Sequence, residues 1–224
     1  IVDLRFDAAN RRTQDRALPS GRIKVGLYWA FLVLSALLFV FASAMLNPLA
    51  FILSPLALLI VFFYSFTKRF TSFSHVFLGV ALAIAPVGAW VAIREEISFL
   101  SLVLGAAVVF WLTGFDIIYS CLDVEFDARN NLFSIPRKFG VERALKFAYF
   151  SHVAMVAFLL LMMLSPLLGS FYLFGVFLVA VLLWFEHSLV KYGDLSKVNM
   201  AFFNVNGFIG ILLMFVVIAD CVWI

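Results

Sequence analysis

Seven stretches of this chain run nearly free of charge for about the length of a bilayer crossing, and that feature leaves few folds open. A helix needs roughly 20 predominantly apolar residues to cross about 30 Å of hydrocarbon. The stretches lie near Val25 to Met45, Leu49 to Thr67, Val76 to Ile93, Ser98 to Tyr119, Leu145 to Leu164, Leu168 to Glu186 and Phe202 to Asp220. They are continuously apolar and do not alternate, so they read as helices and not as barrel strands. Composition agrees, because only 13% of the residues are charged and 65% are hydrophobic, whereas about a quarter of a soluble domain is charged. A water-soluble globule and a disordered chain are both excluded. The expected fold class is all-α, a polytopic transmembrane helical bundle forming a single domain over residues 1–224 with seven spans.

Orientation follows from the connections. Asn47-Pro48 and Ser165-Pro166 mark tight turns, since proline disfavours helix in the residue before it. The other side carries the long polar segments 1–24, 68–75, 120–144 and 187–201. With seven alternating crossings, that side holds 15 of the 16 Lys and Arg residues, and the other holds only Arg94. The positive-inside rule therefore puts the long loops in the cytoplasm and the C-terminus outside. The net charge of +3 has its cause in these loops, and nucleic-acid binding is not expected. Cys121 and Cys221 are too few for a disulfide framework or a four-ligand zinc site.

Carboxylates near a bilayer are expensive and by default functional. Asp3 and Asp7 stand at i, i+4; Asp116, Tyr119, Asp123 and Asp127 stand at i, i+3, i+7 and i+11, along one helical face. Two acidic faces on the same side of the membrane repel each other unless cations bind between them. Mg²⁺ suits such oxygen ligands and prefers one or two carboxylates plus substrate phosphates. A basic set surrounds them, namely Arg12 and Arg16, Lys68 and Arg69, and Arg137 and Lys138. Together they fit a lipid diphosphate, its head at the cytoplasmic mouth and its tail among the Phe and Leu side chains. Arg22, Lys24, Arg143, Lys146, Lys191 and Lys197 read as topology determinants, and Asp15, Asp194 and Asp220 as caps or solvated rims. His75, His152 and His187 lack partners at ligand spacing and are expected to be interfacial or satisfied.

The motifs resemble those of the UbiA-type membrane prenyltransferases, whose first motif is similar to N-x-x-x-D-x-x-x-D followed by R-T-x-x-R-P-L-P-S-G. Here the chain reads Asp3-Leu4-Arg5-Phe6-Asp7, then Arg12-Thr13-Gln14-Asp15-Arg16-Ala17-Leu18-Pro19-Ser20-Gly21, with Ala17 for the usual Pro. The second motif, D-x-x-Y-x-x-x-D with a further Asp, matches Asp116 to Asp127, and Tyr64-Ser65-Phe66-Thr67-Lys68 resembles the family's Y-x-x-x-K. The Phe203-Asn204-Val205-Asn206-Gly207 segment is a weaker match. Nine helices are usual in this family. The resemblance therefore implies two helices ahead of Ile1, an Asn four residues before Asp3, and an inactive 224-residue fragment.

The resemblance further implies transfer of a polyprenyl group from its diphosphate to a small aromatic acid in respiratory quinone synthesis, at the bacterial inner membrane. The acceptor would be 4-hydroxybenzoate or, given Asp123 to Asp127 followed by Leu132 to Gly140, the dihydroxynaphthoate of a menaquinone route. Asp3, Asp7, Asp123 and Asp127 would hold Mg²⁺, with Asp116 as a further catalytic acid. Arg12, Arg16 and Lys68 would take the pyrophosphate, and Tyr64 and Tyr119 would orient substrate or simply pack. A transporter is the competing class, although its acids usually lie near the midplane and these lie at one mouth. The CDP-alcohol phosphotransferases are the competing enzymes, but their D-G-x-x-A-R core is absent. The orientation is tested by a cysteine introduced near Asn130. It should resist an impermeant thiol reagent added outside the cell, and ready external labelling would overturn the topology.

Overall fold

In hydrocarbon every backbone N–H and C=O must find a partner within its own segment, and the chain answers with helices. The computed structural model describes residues 1–191 and 193–223. The elements in order are α1 (Leu4–Ala9), α2 (Val25–Leu46), α3 (Pro48–Tyr64), α4 (Ser74–Arg94), α5 (Phe99–Ser120), α6 (Val124–Arg129), α7 (Ile135–Phe139), α8 (Val141–Leu161), α9 (Ser170–Leu189) and α10 (Asn206–Trp223). Short 3₁₀ turns follow α3, α5 and α8, and a π-helical turn, Met200–Val205, leads into α10. Seven of these helices have the length and hydropathy of membrane spans, and each falls within about a turn of an apolar stretch in the sequence. Helix α8 starts four residues early, at Val141, where its first turn is solvated and held by a Glu142–Lys146 ion pair of 2.8 Å.

The ends of the spans are closed locally. Asn47 accepts from the Ala50 amide at 2.8 Å to cap α3, and its side-chain amide donates to the Val91 and Ala92 carbonyls at the end of α4. Ser98 and Ser101 form a capping box at the start of α5. Pro55 lies inside α3 and cannot donate to the Phe51 carbonyl; the Ser54 hydroxyl donates there instead, at 2.8 Å. Asp220, near the end of α10, accepts from the Gly169 and Tyr172 amides and so caps α9.

Helix α5 is the centre of the bundle, with α4 along one side and α8 along the other. Lipid tails are as apolar as Leu, so membrane helices associate through close approach of small residues and through interhelical hydrogen bonds. Gly79 on α4 faces the backbone of Val109 on α5, and a Cβ there would sit 2.6 Å from the Val109 carbonyl oxygen. Gly114 on α5 faces His152 on α8, where a Cβ would come within 2.3 Å of the imidazole. Polar bridges complete the joints. Trp111 Nε1 donates to Asn206 Oδ1 at 2.6 Å, and Asn206 Nδ2 donates to the buried Glu186 at 3.2 Å. His152 Nδ1 lies 2.9 Å from His187 Nε2. The histidines are satisfied, as expected, but are not scattered, because packing of α8 on α9 brings together two that the sequence keeps 35 residues apart. Phe and Leu side chains over α2, α3 and α9 remain widely exposed, as a lipid-facing surface requires.

The close α4–α5 contact has a measurable consequence. Gly79→Ala should lower the protein's stability by about 1–3 kcal/mol, the usual cost of overpacking, because a backbone carbonyl cannot move aside. Gly88→Ala, with nothing within 4 Å of the added Cβ, should not. Thermal melts of both variants in the same detergent check this, and equal melting temperatures would refute it.

Candidate active site

Each acidic element reaches the site by its own local chemistry. Asp3 and Asp7 stand at the start of α1, which ends at Asn10. The chain then folds back, with Arg12 N donating to Asn10 Oδ1 at 3.0 Å and Thr13 Oγ1 to the Asp7 carbonyl at 2.9 Å. That turn aims Arg12 and Arg16 at the acids. Asp116 and Tyr119 lie on the last turns of α5. Beyond them the helix tightens into a 3₁₀ turn, Cys121–Asp123, before α6. The expected single helical face from Asp116 to Asp127 is therefore interrupted, yet all four side chains still line one cavity. The loop after α6 is tied to the end of α3 by the Phe133 amide, which donates to the Lys68 carbonyl at 2.7 Å.

The cavity encloses about 230 Å³. Its lining includes Asp3, Asp7, Arg12, Arg16, Tyr64, Lys68, Asp116, Tyr119, Asp123 and Asp127, so the five expected acids, three of the expected cations and the two tyrosines are gathered in one place. Four acids meet a cation directly. Arg69 reaches Asp3 at 3.2 Å, Arg16 reaches Asp7 at 3.2 Å, Lys68 reaches Asp127 at 3.5 Å, and Arg12 pairs with Asp123. Asn10, which the motif reading passed over, donates to Asp123 Oδ1 at 3.2 Å; its place one turn beyond Asp7 on α1 was the available signal. The Arg12 guanidinium lies 4.2 Å from the Tyr119 ring centroid, and Tyr119 stacks on Phe202 with centroids 4.0 Å apart. Tyr119 thus serves as the bed on which Arg12 lies.

The acidic faces also meet the chain's own Arg and Lys side chains. One expectation needs correction. Arg137 and Lys138 do not join the site. They line a separate pocket of about 380 Å³ with Phe73 and Phe133, where the Arg137 guanidinium lies 5.5 Å from the Phe133 ring centroid. Asn206, in the weaker motif, also lies elsewhere, in the joint between α5 and α9.

Among the described residues no three acidic, His or Cys side chains converge as a ready metal cage. Mg²⁺ does not need one, because it takes one or two carboxylates and fills its octahedron with phosphate oxygens and water. Asp127 Oδ2 is suited to it, being a buried carboxylate oxygen with no donor in hydrogen-bond geometry among the described residues. Farther along α3, α4 and α5 a second cavity of about 730 Å³ opens, also bordered by α2 and almost wholly apolar, with Leu53, Ile60, Ile84 and Val109 in its wall.

Residues 1–212 match the UbiA prenyltransferase family. A 4-hydroxybenzoate octaprenyltransferase of Marinobacter nauticus is 30% identical over 211 residues, covering 92% of this chain and 70% of that protein. A 4-hydroxybenzoate octaprenyltransferase of Vibrio campbellii is 29% identical over 218 residues, covering 96% and 75%. The apo structure of a UbiA homolog from Aeropyrum pernix aligns with a TM-score of 0.88 at 31% identity, over 98% of this chain and 81% of that one. The structure of a digeranylgeranylglyceryl phosphate synthase shares the fold, with a TM-score of 0.73 at 21% identity over 98% and 78% of the two chains. With its paired acidic motifs around one cavity and a family match over nearly its whole length, this integral membrane protein belongs to the UbiA prenyltransferase family.

Proposed function

We propose that the protein transfers a polyprenyl group from polyprenyl diphosphate to a small aromatic acid of the 4-hydroxybenzoate type, in respiratory quinone synthesis at the cytoplasmic face of the bacterial inner membrane. The observation that carries the reading is the juxtaposition of a small, charged cavity with a large apolar one along the same three helices, α3, α4 and α5. A lipid diphosphate has the same division. Its head fits among Arg12, Arg16 and Lys68, and its tail suits the apolar cavity. The acceptor class is supported by the names of the relatives.

The charges of the site also bear on the cofactor. Five carboxylates, those of Asp3, Asp7, Asp116, Asp123 and Asp127, stand against four cationic side chains. A diphosphate therefore enters with no surplus positive charge to receive it. Asp3, Asp7, Asp123 and Asp127 are the residues that would hold divalent cations, which would supply that charge. Bound Mg²⁺ would act as a Lewis acid toward the departing diphosphate.

The chain's own residues do the rest. As the allylic C–O bond breaks, its electron pair leaves with the diphosphate oxygen, and Arg12, Arg16 and Lys68 stabilise that charge. The apolar bundle keeps water from the allylic cation, since hydrolysis competes with transfer. A ring carbon of the acceptor attacks, a C–C bond forms, and the ring proton is lost. Asp116 is the carboxylate placed to face that positive centre. Tyr64, at the end of α3, lines the same cavity and orients substrate there.

The test is a mass-spectrometric prenylation assay of the protein expressed from its complete gene. It should offer 4-hydroxybenzoate and a dihydroxynaphthoate, since the Asp123 to Asp127 motif favours the second among family members. Prenylated product with neither acid would overturn the reading. Activity should require Mg²⁺ and disappear in excess chelator. Asp127→Asn, which preserves shape at a buried position, should lower kcat/KM by about 10²-fold or more, the scale seen when one charge-stabilising group is removed. Full turnover by a folded Asp127→Asn variant, or with chelator present, would sink the metal assignment.

A further inference from the structure

One acid of the site has no cationic partner among the described residues. Asp116 is held instead by His75, which lies in the first turn of α4 with no exposed surface. His75 Nδ1 is 2.7 Å from Asp116 Oδ2, and on the other side of the ring the Ile135 amide donates to Nε2 at 3.4 Å. A backbone N–H only donates, so Nε2 must present its lone pair and the ring proton must sit on Nδ1. A doubly protonated imidazole would set Nε2–H against the Ile135 N–H, donor against donor. The ring proton on Nδ1 therefore donates to Asp116 Oδ2.

We propose that His75 is a positioning residue: it orients the Asp116 carboxylate toward the cavity and leaves its charge undiminished for the reacting centre. This rests on the prenyl-transfer reading of the site. The terminal torsion of Asp is broad and soft, so a carboxylate at the cavity wall turns freely unless one oxygen is tied. His75 ties Oδ2. The other oxygen accepts no hydrogen bond among the described residues, and the side chain is 21% exposed where it lines the cavity. The remaining acids each face a full positive charge, which suits them to exchange that cation for a phosphate or a metal. Asp116 alone is set up to oppose a cation arriving as substrate and to take the ring proton.

His75 connects two parts of the site to its own helix. Its backbone carbonyl accepts from Thr113 Oγ1 on α5 at 3.5 Å, its ring Nδ1 engages Asp116 on α5, and its ring Nε2 engages the backbone that follows Asp127 and its loop. The angle of the ring, and with it that of Asp116, is thus set by the α6–α7 connection.

The tautomer can be read without turnover. In protein carrying nitrogen-15 histidine, the His75 ring should show the proton on Nδ1 and an unprotonated Nε2. In kinetics, His75→Leu should lower kcat by about 10- to 100-fold, the usual cost of losing a residue that orients a functional group, with the KM for the prenyl diphosphate unchanged. His75→Gln, which keeps an N–H for Asp116, should recover most of that loss. A proton on Nε2, a wild-type kcat for His75→Leu, or a His75→Gln variant no better than His75→Leu would each overturn the proposal. If the wild-type protein prenylates neither acid, the functional reading falls, while the nitrogen spectrum still decides the hydrogen-bond assignment.

Discussion

Five carboxylates drawn to one mouth of an apolar bundle repel one another strongly, and the arrangement exists because cations from other segments answer four of them. Asp127 shows the constraint at its sharpest. With its side chain 1% exposed, it sits where an unanswered charge is costly, and removing one partner of a buried pair typically costs about 3–5 kcal/mol. Lys68 comes from the end of α3, Arg12 from the segment after α1, and Arg69 reaches back to Asp3. These three pairs join pieces of chain far apart in sequence, while Arg16 answers Asp7 from only nine residues on, so closing the site and folding its loops are one process. On the proposed reading the same cations let go of carboxylates when phosphate oxygens arrive, and metal ions take their place on the acids.

That charged mouth needs a rigid floor, which α5 provides. The helix carries Asp116 and Tyr119 at its end, and close contacts at small residues hold its neighbours against it. Gly114 admits the His152 ring, and Gly79 on α4 admits the α5 backbone at Val109. Between helices that share an apolar surround, such contacts and a few hydrogen bonds carry the association. Trp111, Asn206, Glu186, His152 and His187 form those bonds on the side of α5 away from α4. None of them lines the charged cavity, yet all of them fix the helix from which Asp116 projects.

Much of this could be read from the residues in order. Spans were legible because an apolar run of bilayer length has only one economical fold, and orientation because Lys and Arg fall almost entirely on one side. The acids were legible because helical spacing is a local property: Asp3 and Asp7, or Asp116 and Asp127, sit close enough in the chain for their relation to survive folding. Even there, the 3₁₀ turn at Cys121–Asp123 bent the expected straight face, a change that spacing does not reveal.

Which cation meets which acid was a tertiary matter. Arg137 and Lys138 follow the second motif as Arg12 and Arg16 follow the first, within about ten residues of its last acid. Yet they line a different pocket, on the short helix α7 that begins just after the Phe133–Lys68 backbone bond. His75 looked like one of three isolated histidines, and nothing in its neighbours along the chain pointed to Asp116, 41 residues on. Composition and periodicity thus determined that this chain crosses a membrane with an acidic, cation-rich mouth, since those depend on contacts within a turn or two. Packing between helices decided the ion pairs, the partner of His75 and the direction of Asp116, because a hydrogen bond depends on tenths of an ångström set by segments that meet only in the folded bundle.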